Sequence, residues 1–344
     1  MKPLVFMDMS LFAIPNAAVS ANEVETIFER VRLWATRAER QSAVEFMVES
    51  DAVGVLSAAN CFPATNNIQA LLDLFDLSAV YSARDLNARI FSILERVSAV
   101  SDSFDTALAD CDFPEQEDLE VLPAQELRGS SMRTLGSVCL LALERRRPAG
   151  MMFIVPGYPA DAGERLVRGT ITTLGGQETA VNEAIALVPE PRDLLDAIDP
   201  QLLWNLAEDG REIHFAIALT ARRLTGGADC VPDEALVACC VGEGFFDSLG
   251  RNQASGRGAF ANTTRERCAQ LLGGIFQGHV GDFGEERLSD RSAAKRVHIG
   301  KAHQALRLMY WLSPDGEIEF ANIGPKRELL IHRGSPHTAQ TSAF

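Results

Sequence analysis

Side chains that handle phosphate or protons collect at one end of this 344-residue chain. Five of the six histidines, His279, His298, His303, His332 and His337, fall in the last 66 residues, and residues 287–344 carry 9 Lys and Arg against 5 Asp and Glu. The balance is reversed elsewhere, with 9 against 21 in residues 1–128 and 14 against 21 in residues 129–286, so the whole chain has a formal net charge of −15. Acidity of that size opposes generalised polyanion binding and leaves the segregated C-terminal cations as the place where an anion could be recognised. Period-two alternation along Arg296-Val-His-Ile299 sets Arg296 and His298 opposite their apolar neighbours, and along Leu306–Leu312 it sets Arg307 on one face with Met309 and Trp311. A face mixing cations with aromatic rings suits single-stranded RNA, because cations hold phosphates while rings stack on bases. Arg296, Lys301, Arg307, Lys326 and Arg327 are the candidate nucleic-acid contacts.

Other chemistry is sparse. Asp8 follows the apolar run Leu4-Val-Phe-Met7 and either caps the turn after a buried strand or presents a carboxylate at the strand's end. There is no G-x-x-x-x-G-K-[ST], G-x-S-x-G, H-E-x-x-H or paired C-x-x-C, so the P-loop, α/β-hydrolase, zincin and zinc-ribbon readings lose their anchor and no cofactor is implied. Gly250-Arg-Asn-Gln-Ala-Ser-Gly256-Arg-Gly258 reads as a surface loop, its alternative being a backbone cradle for phosphate. His214 has no ligand at metal spacing and reads as a core or helix-end histidine. Seven scattered cysteines, mostly within apolar segments, point to reduced thiols acting as core filling. No apolar run is long enough to span a bilayer and no secretory leader is recognisable, so a cytoplasmic protein without a membrane partner is expected.

The elements that must position these groups are legible from periodicity. Ser20 and Glu23 form a capping box before Val24, Ile27, Phe28, Val31 and Trp34 at helical spacing, and Ser82 and Asp85 form another before Leu86, Ile90 and Ile93. Between them lie a second apolar run, Ala52 to Ala58, a helix from Asn66, and a short strand around Ala79-Val-Tyr81. The pattern predicts a small parallel sheet with covering helices over residues 1–100. From Asp102 to Glu126 nine carboxylates appear without a Lys or Arg, which predicts a solvated linker over 101–127. Residues 128–258 read as a second α/β segment: a helix over 128–147, strands at Met151–Val155, Leu166–Leu174 and Ala184–Val188, an Asp199-Pro200 helix start, and a helix over Ile213–Leu224. Residues 259–334 read as an α+β module in which a helix from Thr263 backs an antiparallel meander of four strands, over 296–299, 306–312, 317–323 and 328–331, with Ser313-Pro-Asp-Gly316 as a turn. Residues 335–344 read as a flexible tail.

Two family resemblances follow. The order Lys295-Arg-Val-His-Ile-Gly300, Leu306-Arg-Leu-Met-Tyr310, Asp315-Gly-Glu-Ile-Glu-Phe320 and Ile323-Gly-Pro-Lys-Arg327 resembles the terminal sheet of RelE-like ribonuclease toxins. That resemblance implies metal-independent RNA cleavage, with Arg296, Arg307, Lys326 and Arg327 neutralising the phosphate and His298, His303 or Tyr310 moving the proton of a 2′-hydroxyl. The strand ending at Asp8 resembles the opening of PIN-like nucleases, which implies a divalent metal held by Asp8 with further carboxylates such as Glu45, Glu49 or Asp85. The expected function is therefore RNA binding or metal-independent cleavage by the basic C-terminal module. Its alternatives are a noncatalytic subunit of a bacterial multiprotein assembly, such as a defence or toxin-type system with partners on other chains, and a PIN-like metal nuclease.

Overall fold

The computed structural model describes every residue except 15–19, 40–42, 50, 104–107, 123, 145–146, 227–238, 301–304, 336 and 343–344. The chain divides into two compact units, residues 3–198 and residues 199–344, the second taking in residues 1–2. The unit of residues 3–198 holds a seven-stranded sheet. Its first strand, β1 (Leu4–Met7), is buried at every position, as expected of a central parallel strand covered on both faces. β1 pairs in parallel with β2 (Glu45–Val48) on one side and β5 (Met152–Val155) on the other; β3 (Ser98–Ala99) extends the β2 side and β7 (Glu178–Leu187) the β5 side, also in parallel. β6 (Gly163–Thr173) then pairs antiparallel with β7, and β4 (Leu108–Asp112) antiparallel with β6, giving the order β3-β2-β1-β5-β7-β6-β4.

The helices of this unit follow the apolar periodicity. α1 (Ala21–Glu39) starts with the Glu23 amide donating to Ser20 Oγ, buries Val24, Phe28, Val31 and Trp34, and fixes Trp34 by an indole bond of 2.9 Å to the Pro189 carbonyl. α2 (Ala52–Ala58) is capped by Asp51, α3 spans Thr65–Leu74, and α4 (Ala83–Leu94) is capped by Ser82. The expected strand at 79–81 is a turn in which Val80 is exposed. After the short α5 (Val100–Ser103) and β4 comes α6 (Gln125–Leu143), which buries a run rich in small side chains, among them Ser130, Ser131, Thr134, Gly136 and Ser137. α7 (Pro191–Ala197) closes the unit.

Three domain boundaries expected from sequence need correction. Residues 101–127 are no linker: β4 is the outer strand of the sheet, and Phe113, Leu119 and Leu122 are buried while Asp110 and Asp112 face outward. A few apolar anchors suffice to hold an acidic segment whose carboxylates stay in water. Residues 128–258 do not form a domain either, because β5, β6 and β7 complete the first sheet, α6 packs against β4, β6 and β7, and the division falls at 198/199. Nor are the described residues of 335–344 free: Gln340 bridges Val241, and the Ser342 amide donates to Nδ1 of His214, which the Ser342 hydroxyl also approaches.

The unit of residues 199–344 begins with α8 (Pro200–Leu206), capped by Asp199 with proline at its first position, and α9 (Gly210–Leu224), capped by Asp209. α9 packs on α8 and on α11 (Ala261–Leu272); α10 (Phe245–Arg251) lies on the sheet. That sheet has the order β8-β12-β11-β10-β9, where β8 (Cys239–Val241) runs parallel to β12 (Ile318–Pro325), and β12, β11 (Leu306–Leu312), β10 (Ser292–His298) and β9 (Gly281–Arg287) form an antiparallel meander. The turn between β11 and β12 is the expected one, with Gly316 at φ +90° where a side chain would be strained. The expected strand at 328–331 is instead an irregular strap over one face, because β8 already occupies the free edge of β12. Trp311 donates to the His332 carbonyl at 2.8 Å, Asn322 donates to that of Leu330 at 3.1 Å, and Ile331 joins Ala294, Met309, Trp311 and Ala321 in a buried cluster. No described helix is long and apolar enough to cross a membrane.

His214 is the acid-sensitive point of this unit. It is 1 % exposed, donates from Nε2 to the Cys239 carbonyl at 2.9 Å and accepts at Nδ1, and burial pushes its pKa down to about 4. A histidine depressed in the folded state contributes stability above its ordinary pKa and loses it as the pH falls towards the folded value. Stability is therefore expected to drop between about pH 6.5 and pH 4 by on the order of 3 kcal/mol, and His214→Gln, neutral throughout, to remove that part of the drop. Urea unfolding at both pH values checks it; an equal acid loss in the variant would contradict it.

Candidate functional site

Strand register brings the C-terminal candidates onto one face. His298 stands directly opposite Arg307, and Arg296 opposite Met309, so these side chains share the face of Trp311 as the alternation requires. The Arg296 guanidinium lies 5.2 Å from the centre of the Phe283 ring. Lys326 and Arg327, exposed just beyond β12, flank the same corner of the sheet. His298 is held below its ordinary pKa, first by burial and then by Arg307, Lys326, Arg296 and His279.

Two adjoining depressions open at this corner and share Ala305 and Lys326. One, of about 550 Å³, is lined by Arg251, Asn252, Gln253, Lys326 and Arg327 among others. Its neighbour, of about 480 Å³, is lined by Arg267, Phe276, His279, His298 and Lys326 with backbone of Gly278 and Gly300. Among the described residues, none that lines either is a carboxylate. The Arg267 guanidinium sits 4.9 Å over the ring of Phe276 and donates from Nη1 to Gln270, while its Nε has no partner among the described residues. Arg307 Nε is likewise buried and without an acceptor. An orphaned guanidinium donor beside an open, carboxylate-free depression is suited to an anionic oxygen.

Not every candidate joins this face. Tyr310 is a correction: it is 3 % exposed, alternates away from Arg307 and Trp311 onto the opposite side of β11 with Leu308, and burial raises its phenol pKa, so it cannot reach a phosphate beside His298. Lys301 and His303 lie outside the described residues. Arg251, Arg267, Phe276 and His279 were not singled out as contacts from sequence. Arg251 sits in the glycine-rich stretch that offered a phosphate reading and His279 in the histidine cluster, whereas nothing in the local pattern marks Arg267 or Phe276.

Arg287 and Glu319 have a structural use instead. Arg287 Nη1 lies 2.8 Å from Glu319 Oε2, Nη2 lies 2.5 Å from Asp290, which it holds down at a pKa of about 2, and the guanidinium covers the Trp311 ring at 5.2 Å. Arg296, Arg307 and Lys326 are in no ion pair among the described residues, so the network that consumes Arg287 leaves them available.

In the other unit, Asp8 occupies the point where the strand order reverses, between β1 and β5, where open α/β sheets present ligand crevices. It caps the 3-10 turn Met9–Phe12, accepting from the amide and hydroxyl of Ser10 and, at 2.9 Å, from the hydroxyl of Ser131. Burial raises its pKa against those bonds. The backbone of Gly157 packs so closely on Ser10 and Leu11 that a Cβ would meet them at 2.0 Å. Among the described residues no three of His, Cys, Asp and Glu come together to hold a metal ion; Glu49 accepts from Ser137, and Asp85 receives the Arg89 guanidinium. The carboxylate partners that a PIN-like centre would require at Asp8 are thus not assembled by those residues.

Comparison with protein-family models, with curated proteins and with solved structures returns no match.

Proposed function

We propose that residues 199–344 bind single-stranded RNA across the two adjoining depressions at the β10–β11–β12 corner. The observation that carries the reading is the lining itself: Arg251, Arg267, His279, His298, Lys326 and Arg327 converge with no carboxylate among them, on a chain whose net charge is −15. Charge segregated so sharply directs an anion to this corner and away from the rest of the surface. Arg296 and Arg307 extend the cationic face along the strands, and Phe276 offers a ring beside the guanidinium of Arg267. A discrete pocket with a single ring suits an unpaired strand, whose bases can be splayed and stacked, better than a duplex.

The test is retention of a short oligoribonucleotide by the full chain across a salt series. Affinity is expected to fall linearly with log salt concentration, by about 0.7 in slope for each phosphate contacted. Salt-independent retention, or none at low ionic strength, would overturn the reading and favour a noncatalytic subunit whose partners are other protein chains.

A further inference from the structure

At the end of β12 away from Lys326 lies a separate depression of about 290 Å³ whose charged lining is the reverse of the basic corner. Glu243 and Asp247 stand exposed at its rim, Glu319 is buried at 4 % exposure, His332 is the remaining titratable group, and no Lys or Arg is among the described lining residues. Glu319 Oε2 faces the Arg287 guanidinium at 2.8 Å, whereas Oε1 is buried without a hydrogen-bond partner. Oε1 stands against the backbones of Gly242 and Gly334, both lining residues, where a Cβ would meet it at 3.0 Å and 2.5 Å respectively. Arg287 also serves Asp290, so one guanidinium answers two carboxylates and the group keeps an excess negative charge. Glu243 and Asp247 add to that excess, being in no ion pair among the described residues. A buried carboxylate oxygen without a donor is costly, and a ligand entering the depression can supply the one it lacks.

We infer that this depression binds a primary alkylammonium ion, its head donating to Glu319 Oε1 and a second positive charge, where the ligand carries one, standing against Glu243 and Asp247. The inference is independent of the RNA-binding reading. The acceptors select this cation. Arg287 already holds Oε2, so the pair of oxygens that a guanidinium fork would use is not open, whereas an ammonium is a compact charge that meets a single oxygen. A divalent metal would require several oxygen ligands in one shell, and among the described residues no three of His, Cys, Asp and Glu come together to hold one. At this volume the depression takes a short aliphatic chain rather than a nucleotide.

The experiment is calorimetric titration of the full chain at low salt and pH 8, where primary alkylamines are charged. The ligands are 1,4-diaminobutane, 1-aminobutane, the neutral 1,4-butanediol and a capped tripeptide with a central lysine. The diamine is expected to bind about tenfold tighter than the monoamine, and the diol not at all. Glu319→Gln keeps the shape of the side chain and leaves Arg287 on Asp290, and it should weaken both amines by about tenfold or more. Glu243→Gln with Asp247→Asn changes only exposed positions and should narrow the gap between diamine and monoamine to about twofold. A lysine peptide that binds more tightly than the diamine would support the ammonium site and assign its source to a protein chain; a weaker one would assign it to a free amine. Diol bound as well as diamine, amine affinity unaltered in folded Glu319→Gln protein, a gap untouched by the rim variant, or no amine bound at all would each overturn the inference.

Discussion

Replacing Arg296, Arg307 and Lys326 together by alanine is expected to weaken single-stranded RNA binding on the order of a hundredfold at low salt and to flatten its salt dependence. At about 1 kcal/mol for each partly exposed cation, three contacts amount to about 3 kcal/mol, or roughly two powers of ten in Kd. Each lost phosphate contact removes about 0.7 from the slope of log affinity against log salt, so the triple variant should be shallower by about 2. These side chains are suited to the test because none is in an ion pair among the described residues and Lys326 is exposed. The measurement is fluorescence-anisotropy titration of a labelled oligoribonucleotide at four or more salt concentrations, beside unfolding curves that verify the variant is folded. An unchanged slope with folded protein would place the RNA elsewhere.

Arg287→Met is expected to destabilise residues 199–344 by about 3–5 kcal/mol, since it leaves Glu319 buried without its counter-charge. Glu319 is 4 % exposed and Arg287 8 % exposed, and methionine keeps an apolar stem against Trp311 while removing the guanidinium. Burial already raises the Glu319 pKa, and Arg287 is the group that lowers it. Without Arg287 the carboxyl rises further, and a carboxylate raised in the folded state costs stability as the pH climbs through its folded pKa. The deficit should therefore be largest at neutral pH and shrink towards the ordinary carboxylate range. Glu319→Gln introduced into Arg287→Met should recover most of the loss, giving a large coupling energy in the double-mutant cycle measured by urea unfolding. Independent, additive effects of the two substitutions would contradict a shared network. The contrast with Arg296 and Arg307 matters for the proposed function, because it separates a cation held in an ion-pair network from those in no ion pair among the described residues.

Much of the fold was legible where one local signal dominated. Leu4–Met7 is apolar at every position and is a buried central strand; Leu306–Leu312 was bounded by a Pro-Asp-Gly turn and is β11 over that same range. Elements whose partners are distant in sequence were not legible. β9 carries Phe283 among Asp282, Glu285, Glu286 and Arg287, a composition that edge strands use against aggregation and that hides their alternation. β4 is concealed in the same way among aspartates, and only its pairing with β6 shows that the acidic stretch belongs to a sheet. The strap over 328–334 has the apolar content of a strand, but β8 takes the edge it would need. At the candidate site, alternation set Arg296 beside His298 and Arg307 beside Met309 and Trp311, while Tyr310 was kept as a candidate; the pairing of β10 with β11 is what joins the first five into one face and leaves Tyr310 on the other. Arg251, Arg267 and His279 come from a helix end, a helix interior and a loop, so their meeting with Lys326 is a product of tertiary structure with no short-range pattern.

The most direct measurement is photocrosslinking of a 4-thiouridine-containing single-stranded RNA to the full chain, followed by identification of the crosslinked peptides. Crosslinks are expected in the segments 251–253, 267–279, 298–300, 305–306 and 325–327, which hold the lining residues of the two depressions, and to disappear on competition with unlabelled RNA or at high salt. Saturable crosslinks concentrated within residues 3–198, or none that unlabelled RNA competes away, would contradict RNA recognition by the basic corner.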